Sequence, residues 1–270
     1  MKIDYCFHTH TARCGHAQGA DEEYVLSALN NGIKLFGFSD HAFFPNISQP
    51  GIRGDYSLLP DYVNLINSLK EKYKNKLKIY LGFECEYFDE YDSYYRKLLT
   101  NGFDYLILGQ HLIFENNKLI YVNSEPKILN REKYLIQIEK ALKTGLFLYI
   151  AHPDYILKSY KRWCKSAEDL SYKICKLAKQ YDTPLEINMG GIKTNKKSNL
   201  QYPVGQFWEI ASKIGNKVII GYDAHNPNSF SETKYINKAI RFAKKHKIKL
   251  LSKNQHATEK VATVLGRDLF

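Results

Sequence analysis

At 270 residues, with 44% hydrophobic and 25% charged residues, the chain is an ordinary globular protein long enough for one large domain or two small ones. Its formal charge of +11 would suit an anionic partner, but much of the excess lies in surface-like runs such as KEKYKNKLK and KKHKIK and assigns none. Five cysteines without a C-x-x-C pair, an N-terminus without an apolar h-region, and no apolar run approaching ~18 residues lead us to expect a soluble protein of the reducing cytoplasm, with no membrane partner.

Taken in chain order, short apolar runs alternate with longer amphipathic stretches. The runs cover 2–7, 35–38, 78–83, 104–108, 146–150, 184–188 and 218–222, and read as strands. Helices are predicted near 21–31, 60–74, 91–101, 131–144, 166–181, 205–213 and 229–246. Asp21 and Pro60 mark helix starts, Ser166 with Asp169 reads as a capping box, and Gly32, Gly102, Gly145 and Gly215 stand where left-handed caps end helices. This βα rhythm implies a mainly parallel sheet, and no linker interrupts it. We therefore expect one barrel-like α/β domain over 1–270, with seven strand–helix units. Two long connections, after the second and fourth strands, are candidates for functional loops.

A polar residue follows each run. The first strand ends in His8 and His10, with His16 on the next loop; the second in Ser39, Asp40 and His41; the third in Glu84 and Glu86. His111, His152 and Asn188 follow the fourth, fifth and sixth, and Asp223 with His225 the seventh. In a βα barrel these ends meet on one face, where active sites are built. Seven of the nine histidines fall in this set; His246 and His256 are expected on the solvated surface. Seven imidazoles plus Glu84 and Asp223 make nine candidate ligands, too many for one ion. Two or three bridged ions would use them, and a mixed N/O set suits Zn, Fe or Mn. Strand alternation should turn Cys85 away from Glu84, and Cys14 is expected to be a neighbour of the cluster.

The motifs HTHTARCGH, FSDH, GFECEY, GQH, AHPD and GYDAH, in this order, resemble the PHP (polymerase and histidinol phosphatase) superfamily of metal-dependent phosphoesterases. The loop and helix HAFFPNISQPGIRGDYSLLPDYVNLINSLKEKY and the stretch EINMGGIK are most similar to its histidinol-phosphatase branch. The resemblance implies a distorted (β/α)7 TIM-like barrel with a trinuclear site at the C-terminal ends of the strands. His8, His10, Glu84 and Asp223 would hold one divalent ion, and Glu84 would bridge to a second completed by His111 and His152. A third would take His16, His41 and His225. Asp40, His41 and Asp223 are the expected catalytic residues, Asp40 by moving a proton or from behind the ligands. Two departures stand out: Cys6 replaces an aspartate common two residues before the first histidine, and Lys193 stands where a phosphate-binding arginine is usual.

The implied reaction is hydrolysis of L-histidinol phosphate, a step of histidine synthesis, by a hydroxide held between metals. Arg53, Arg162 and Lys193 are the candidate phosphate clamps, and Glu115 is the candidate acceptor for the substrate's ammonium. A phosphodiesterase or nuclease acting on nucleotides or DNA ends is the alternative, although no nucleic-acid module or basic-aromatic stripe is present. An amidohydrolase would want a lysine after the fourth strand, where GQH offers none. Oligomeric state is not legible.

Overall fold

In the computed structural model, which describes residues 3–115, 118–124, 128–194 and 200–251, the seven apolar runs form one parallel sheet. Its strands are β1 (Tyr5–Cys6), β2 (Leu35–His41), β3 (Lys78–Cys85), β4 (Tyr105–Leu108), β7 (Phe147–Ile150), β8 (Leu185–Asn188) and β9 (Val218–Gly221), paired in that order. A hairpin of β5 (Leu112–Glu115) and β6 (Lys118–Tyr121) occupies the second long connection. The helices are α1 (Asp21–Asn30), α2 (Leu59–Tyr73), α3 (Asp92–Thr100), α4 (Ile128–Thr144), α5 (Lys165–Gln180), α6 (Met189–Thr194), α7 (Gly205–Ile214) and α8 (Thr233–Lys245).

The barrel closes at the end where the candidate ligands stand. His10 N–H donates to the Ala224 carbonyl at 2.9 Å and Ala224 N–H to the His8 carbonyl at 3.1 Å, joining the ends of the first and last strands. Below that seam the interior is filled by Phe7, Tyr80, Tyr105, Ile107, Leu148 and Tyr149. Tyr105 lies across Gly37 and Gly82, where a Cβ would come within 2.3 Å of its hydroxyl and 2.5 Å of its ring respectively, and its hydroxyl donates to the Phe7 and Phe38 carbonyls. The barrel therefore has a solid aromatic floor, and only its upper end is open to ligands. Between sheet and helices lies the larger apolar core, with Cys6 and Cys85 in it.

The structure agrees with the barrel expected from the βα rhythm and departs from it locally. β1 is only two residues long, while β2 and β3 run further than their apolar stretches, through His41 and Cys85. α6 and the β5–β6 hairpin were not expected. The Ser166 capping box does not form: α5 starts at Lys165 behind Cys164, and the Ser166 hydroxyl instead meets that of Tyr160 at 3.2 Å. His246 is not a solvated residue but is 7% exposed, packed on Phe242 and 3.3 Å from Glu209. His256 lies outside the described residues.

Candidate metal centre

Period-two alternation on β3 turns Glu84 inward and Cys85 outward, and Glu84 becomes the hub. Its Oε1 lies 2.6 Å from His152 Nε2 and 3.6 Å from His111 Nε2. Its Oε2 lies 3.4 Å from Nε2 of both His8 and His10, and 3.2 Å from His41 Nδ1. Asp223 Oδ1 reaches the same two imidazoles from β9, at 3.4 Å (His8) and 3.2 Å (His10). His225 stacks on His10 with centroids 4.1 Å apart, and its Nε2 is 3.0 Å from His16 Nε2. The sequence thus brings all nine candidate ligands into one group. Cys14 stands beside it, its thiol pushed up to about 12 by burial.

Room for the hub comes from glycine. A Cβ on Gly109 would lie 2.1 Å from Glu84 Oε1, and one on Gly221 would lie 1.7 Å from Oε1 of Glu186. Glu186 is a site residue that sequence reasoning missed. Fully buried on β8, it accepts from His8 Nδ1 at 2.8 Å and from the His152 backbone N–H at 3.0 Å. That bond fixes the His8 tautomer, leaving its Nε2 lone pair toward Glu84 and Asp223. Glu186, not the residue at position 6, does this; Cys6 spends its thiol on the His8 carbonyl and Thr9. We expect Gly221→Ala to displace Glu186 and to lower bound metal and turnover together, by at least tenfold. Metal analysis of the purified variant checks this.

At three residues the structure departs from an expected role. Arg53 is not a free phosphate clamp: it is 3% exposed, gives Nη2 to Glu86 at 2.9 Å, Nη1 to the Ala42 carbonyl and Nε to Gln49. Glu86 in turn accepts from His111 Nδ1 at 3.1 Å, so Arg53 orients His111 through Glu86. Asp40 is not placed to give a proton to a leaving group. Because β2 continues to His41, alternation turns Asp40 behind the cluster, where it accepts from the Thr11 hydroxyl and lies 3.5 Å from His10 Nδ1. Arg162 is exposed and outside the cleft. The side chain of Glu115, at the end of β5, lies outside the described residues.

Both His152 (φ 32°) and Asp223 (φ 49°) adopt left-handed backbone, which non-glycine residues avoid and which tends to persist at functional sites. Although burial opposes it, the surrounding imidazoles hold the Glu84 carboxyl well below the usual carboxylate range, and His8 chief among the imidazoles does the same for Asp223. Burial, aided by His10, pushes His41 well below the normal imidazole range and His225 down to about 4. His41 and His225 are therefore neutral, whereas, against the effect of burial, the carboxylates of Glu186, Asp223 and Glu84 hold His8 well above the normal imidazole range and those of Asp223 and Asp40 raise His10 to about 9. His8 Nε2, His10 Nε2 and His41 Nδ1 are buried and have no hydrogen-bond partner. Such nitrogens are costly unless something accepts their lone pairs. Two ionised carboxylates among crowded imidazole nitrogens fit divalent transition metals, and the triads His8–His10–Asp223, His8–Glu84–His152 and His10–His41–His225 each gather ligand atoms within 4.8 Å.

A cleft of about 570 Å³ opens above the cluster. Its far wall carries Tyr155, Tyr202 and Lys158 on one side and Lys193, Glu232 and Tyr235 on the other. Lys158, not Arg162, is the cation that the DYILKSYKRW loop offers the cleft. It sits 4.8 Å over the Tyr155 ring, with no ion pair among the described residues.

The PHP domain family matches residues 7–190. The chain belongs to that family. Two curated PHP relatives are named probable histidinol-phosphatase. That of Deinococcus radiodurans is 27% identical over 227 residues, covering 82% of this chain and 85% of the relative. That of Thermotoga maritima is 29% identical over 234 residues, covering 86% of each. Among solved structures, histidinol phosphate phosphatase from Lactococcus lactis, complexed with zinc, L-histidinol and phosphate, superposes with a TM-score of 0.69 at 20% identity, over 94% of this chain and 97% of that one. The shared fold is the barrel described above. No helix among the described residues is long and apolar enough to cross a membrane.

Proposed function

We propose that the protein is a metal-dependent phosphomonoesterase that hydrolyses L-histidinol phosphate to L-histidinol and phosphate, working in the cytoplasm as one domain. The observation that carries this reading is the convergence of seven imidazoles, Glu84 and Asp223 beneath an open cleft, with buried ring nitrogens left unpartnered. Curated PHP relatives matching more than four-fifths of the chain and named for this activity support the choice of substrate.

In this reading His8, His10, Glu84 and Asp223 would hold one divalent ion, Glu84 with His111 and His152 a second, and His16, His41 and His225 a third. Bound Zn, Fe or Mn would neutralise the phosphoryl oxygens and make a water acidic enough to attack phosphorus at neutral pH. The chain's own residues set the geometry. Glu186 and Glu86 each fix the tautomer of an imidazole, His8 and His111. Asp40, with Thr11, braces His10 from behind. Lys158 and Lys193 face the cleft as cations for the phosphate, each a point charge in place of an arginine fork. The aromatic floor below and the helices around it keep the phosphoester at the upper end, within reach of the cluster.

The test is a comparison of kcat/KM for L-histidinol phosphate with those for simple phosphomonoesters, phosphodiesters and DNA ends. L-histidinol phosphate is expected to be the best substrate. A clear preference for diesters or DNA ends, with binding that weakens steeply as salt rises, would overturn the assignment in favour of a nuclease.

A further inference from the structure

Hydrolysis of a phosphate ester needs only cations and the cluster, yet the substrate proposed above carries an ammonium on the carbon next to the ester methylene. That charge needs an anion in the cleft, because a buried or half-buried ammonium without a partner is costly. Among the described residues, four carboxylates line the cleft: Glu84, Glu86, Asp223 and Glu232. Glu84 and Asp223 face the cluster imidazoles, and Glu86 is taken by Arg53 and His111. Glu232 alone among these touches no cluster residue.

Glu232 is instead paired with a cation of the opposite kind of use. Lys193 Nζ donates to Glu232 Oε2 at 2.7 Å, on one wall of the cleft where α6 meets the start of α8. Both side chains are partly exposed, 45% for Lys193 and 29% for Glu232, so each can leave the other cheaply. The pair is also close to the chemistry. α6 begins against Asp223, where a Cβ on Gly190 would lie 2.9 Å from Oδ2, and Lys193 follows three residues later, about 4.5 Å along the helix.

We propose that Glu232 is a specificity-determining residue that receives the substrate's ammonium. The inference rests on the phosphatase reading above and deepens it. In the free protein Lys193 and Glu232 neutralise each other. A phosphate at the cluster draws Lys193 toward itself, and Glu232, released, accepts the ammonium. An ester with both charges replaces one ion pair by two, whereas an ester lacking the amine leaves Glu232 unpaired. The site thereby selects aminoalkyl phosphates over neutral-tailed ones.

The experiment compares Glu232→Gln with wild type, both metal-loaded, on L-histidinol phosphate and on its des-amino counterpart, imidazolylpropyl phosphate. The ratio of kcat/KM for the two esters is expected to fall about 10- to 100-fold in the variant, the worth of a charge-assisted hydrogen bond. Inhibition by L-histidinol should weaken in parallel, while inhibition by inorganic phosphate should not. A wild type that cleaves L-histidinol phosphate and a variant in which both esters change by the same factor overturn this proposal alone, since restraint of Lys193 would act on both equally. A wild type that cleaves neither ester overturns the phosphatase reading and this proposal with it.

Discussion

Glu84→Gln is expected to lower kcat for phosphomonoester hydrolysis by about 10³-fold or more, the effect of removing one charged partner from a buried, mutually compensating group. The substitution conserves shape, so the packing against Gly109 survives. What it removes is the one negative charge that faces five imidazoles, those of His8, His10, His41, His111 and His152, all within 3.6 Å. A neutral amide can still offer an oxygen to one ion but is a poor bridge between two. Metal content should fall along with turnover. Elemental analysis and steady-state kinetics on the same preparation check both. A variant with full metal and full activity would contradict the role of Glu84 as hub.

Removing the metals is expected to cost stability as well as activity. The nitrogens of His8, His10 and His41 are buried at the base of the cleft without a hydrogen-bond partner, and bound metal would supply one. Ions that bind the folded chain and not the unfolded one stabilise it by about 4 kcal/mol when present at about a thousand times their dissociation constant. For a chain of this size that corresponds to a rise in Tm of about 7 °C. Calorimetry of chelated and metal-loaded protein measures the difference. Equal melting temperatures would mean that the cluster satisfies itself without metal.

Most of the site could be read from the sequence because each candidate ligand lies just past the end of an apolar run, and a barrel gathers those ends at one face. His8, His10, Glu84, His152 and Asp223 were visible for that reason, as were the glycines that end α1, α3, α4 and α7. The residues behind the ligands were not. Glu186 lies inside an apolar run, Pro184–Asn188, and reads as part of a strand. The alternation Leu-Glu-Ile-Asn there, with both polar residues buried, was the available signal. From the sequence Arg53 reads as a phosphate clamp on a long loop, because its partner, Glu86, is 33 residues away. Of the two roles open to Asp40, the one behind the ligands is the one β2 selects, because the strand runs on to His41 and turns neighbouring side chains to opposite sides. Which basic residue of DYILKSYKRW meets the cleft depends on the 3-10 turn Tyr155–Ser159, and sequence spacing does not encode that turn.

The metal dependence is measured most directly by one titration: phosphate release from L-histidinol phosphate by the chelated protein as Zn or Mn is added back. The three-ion cluster predicts no turnover without metal and a rise that saturates near three ions per chain, with His10→Ala failing to reach the plateau. Full turnover in the chelated protein, or none at any metal concentration, would contradict it.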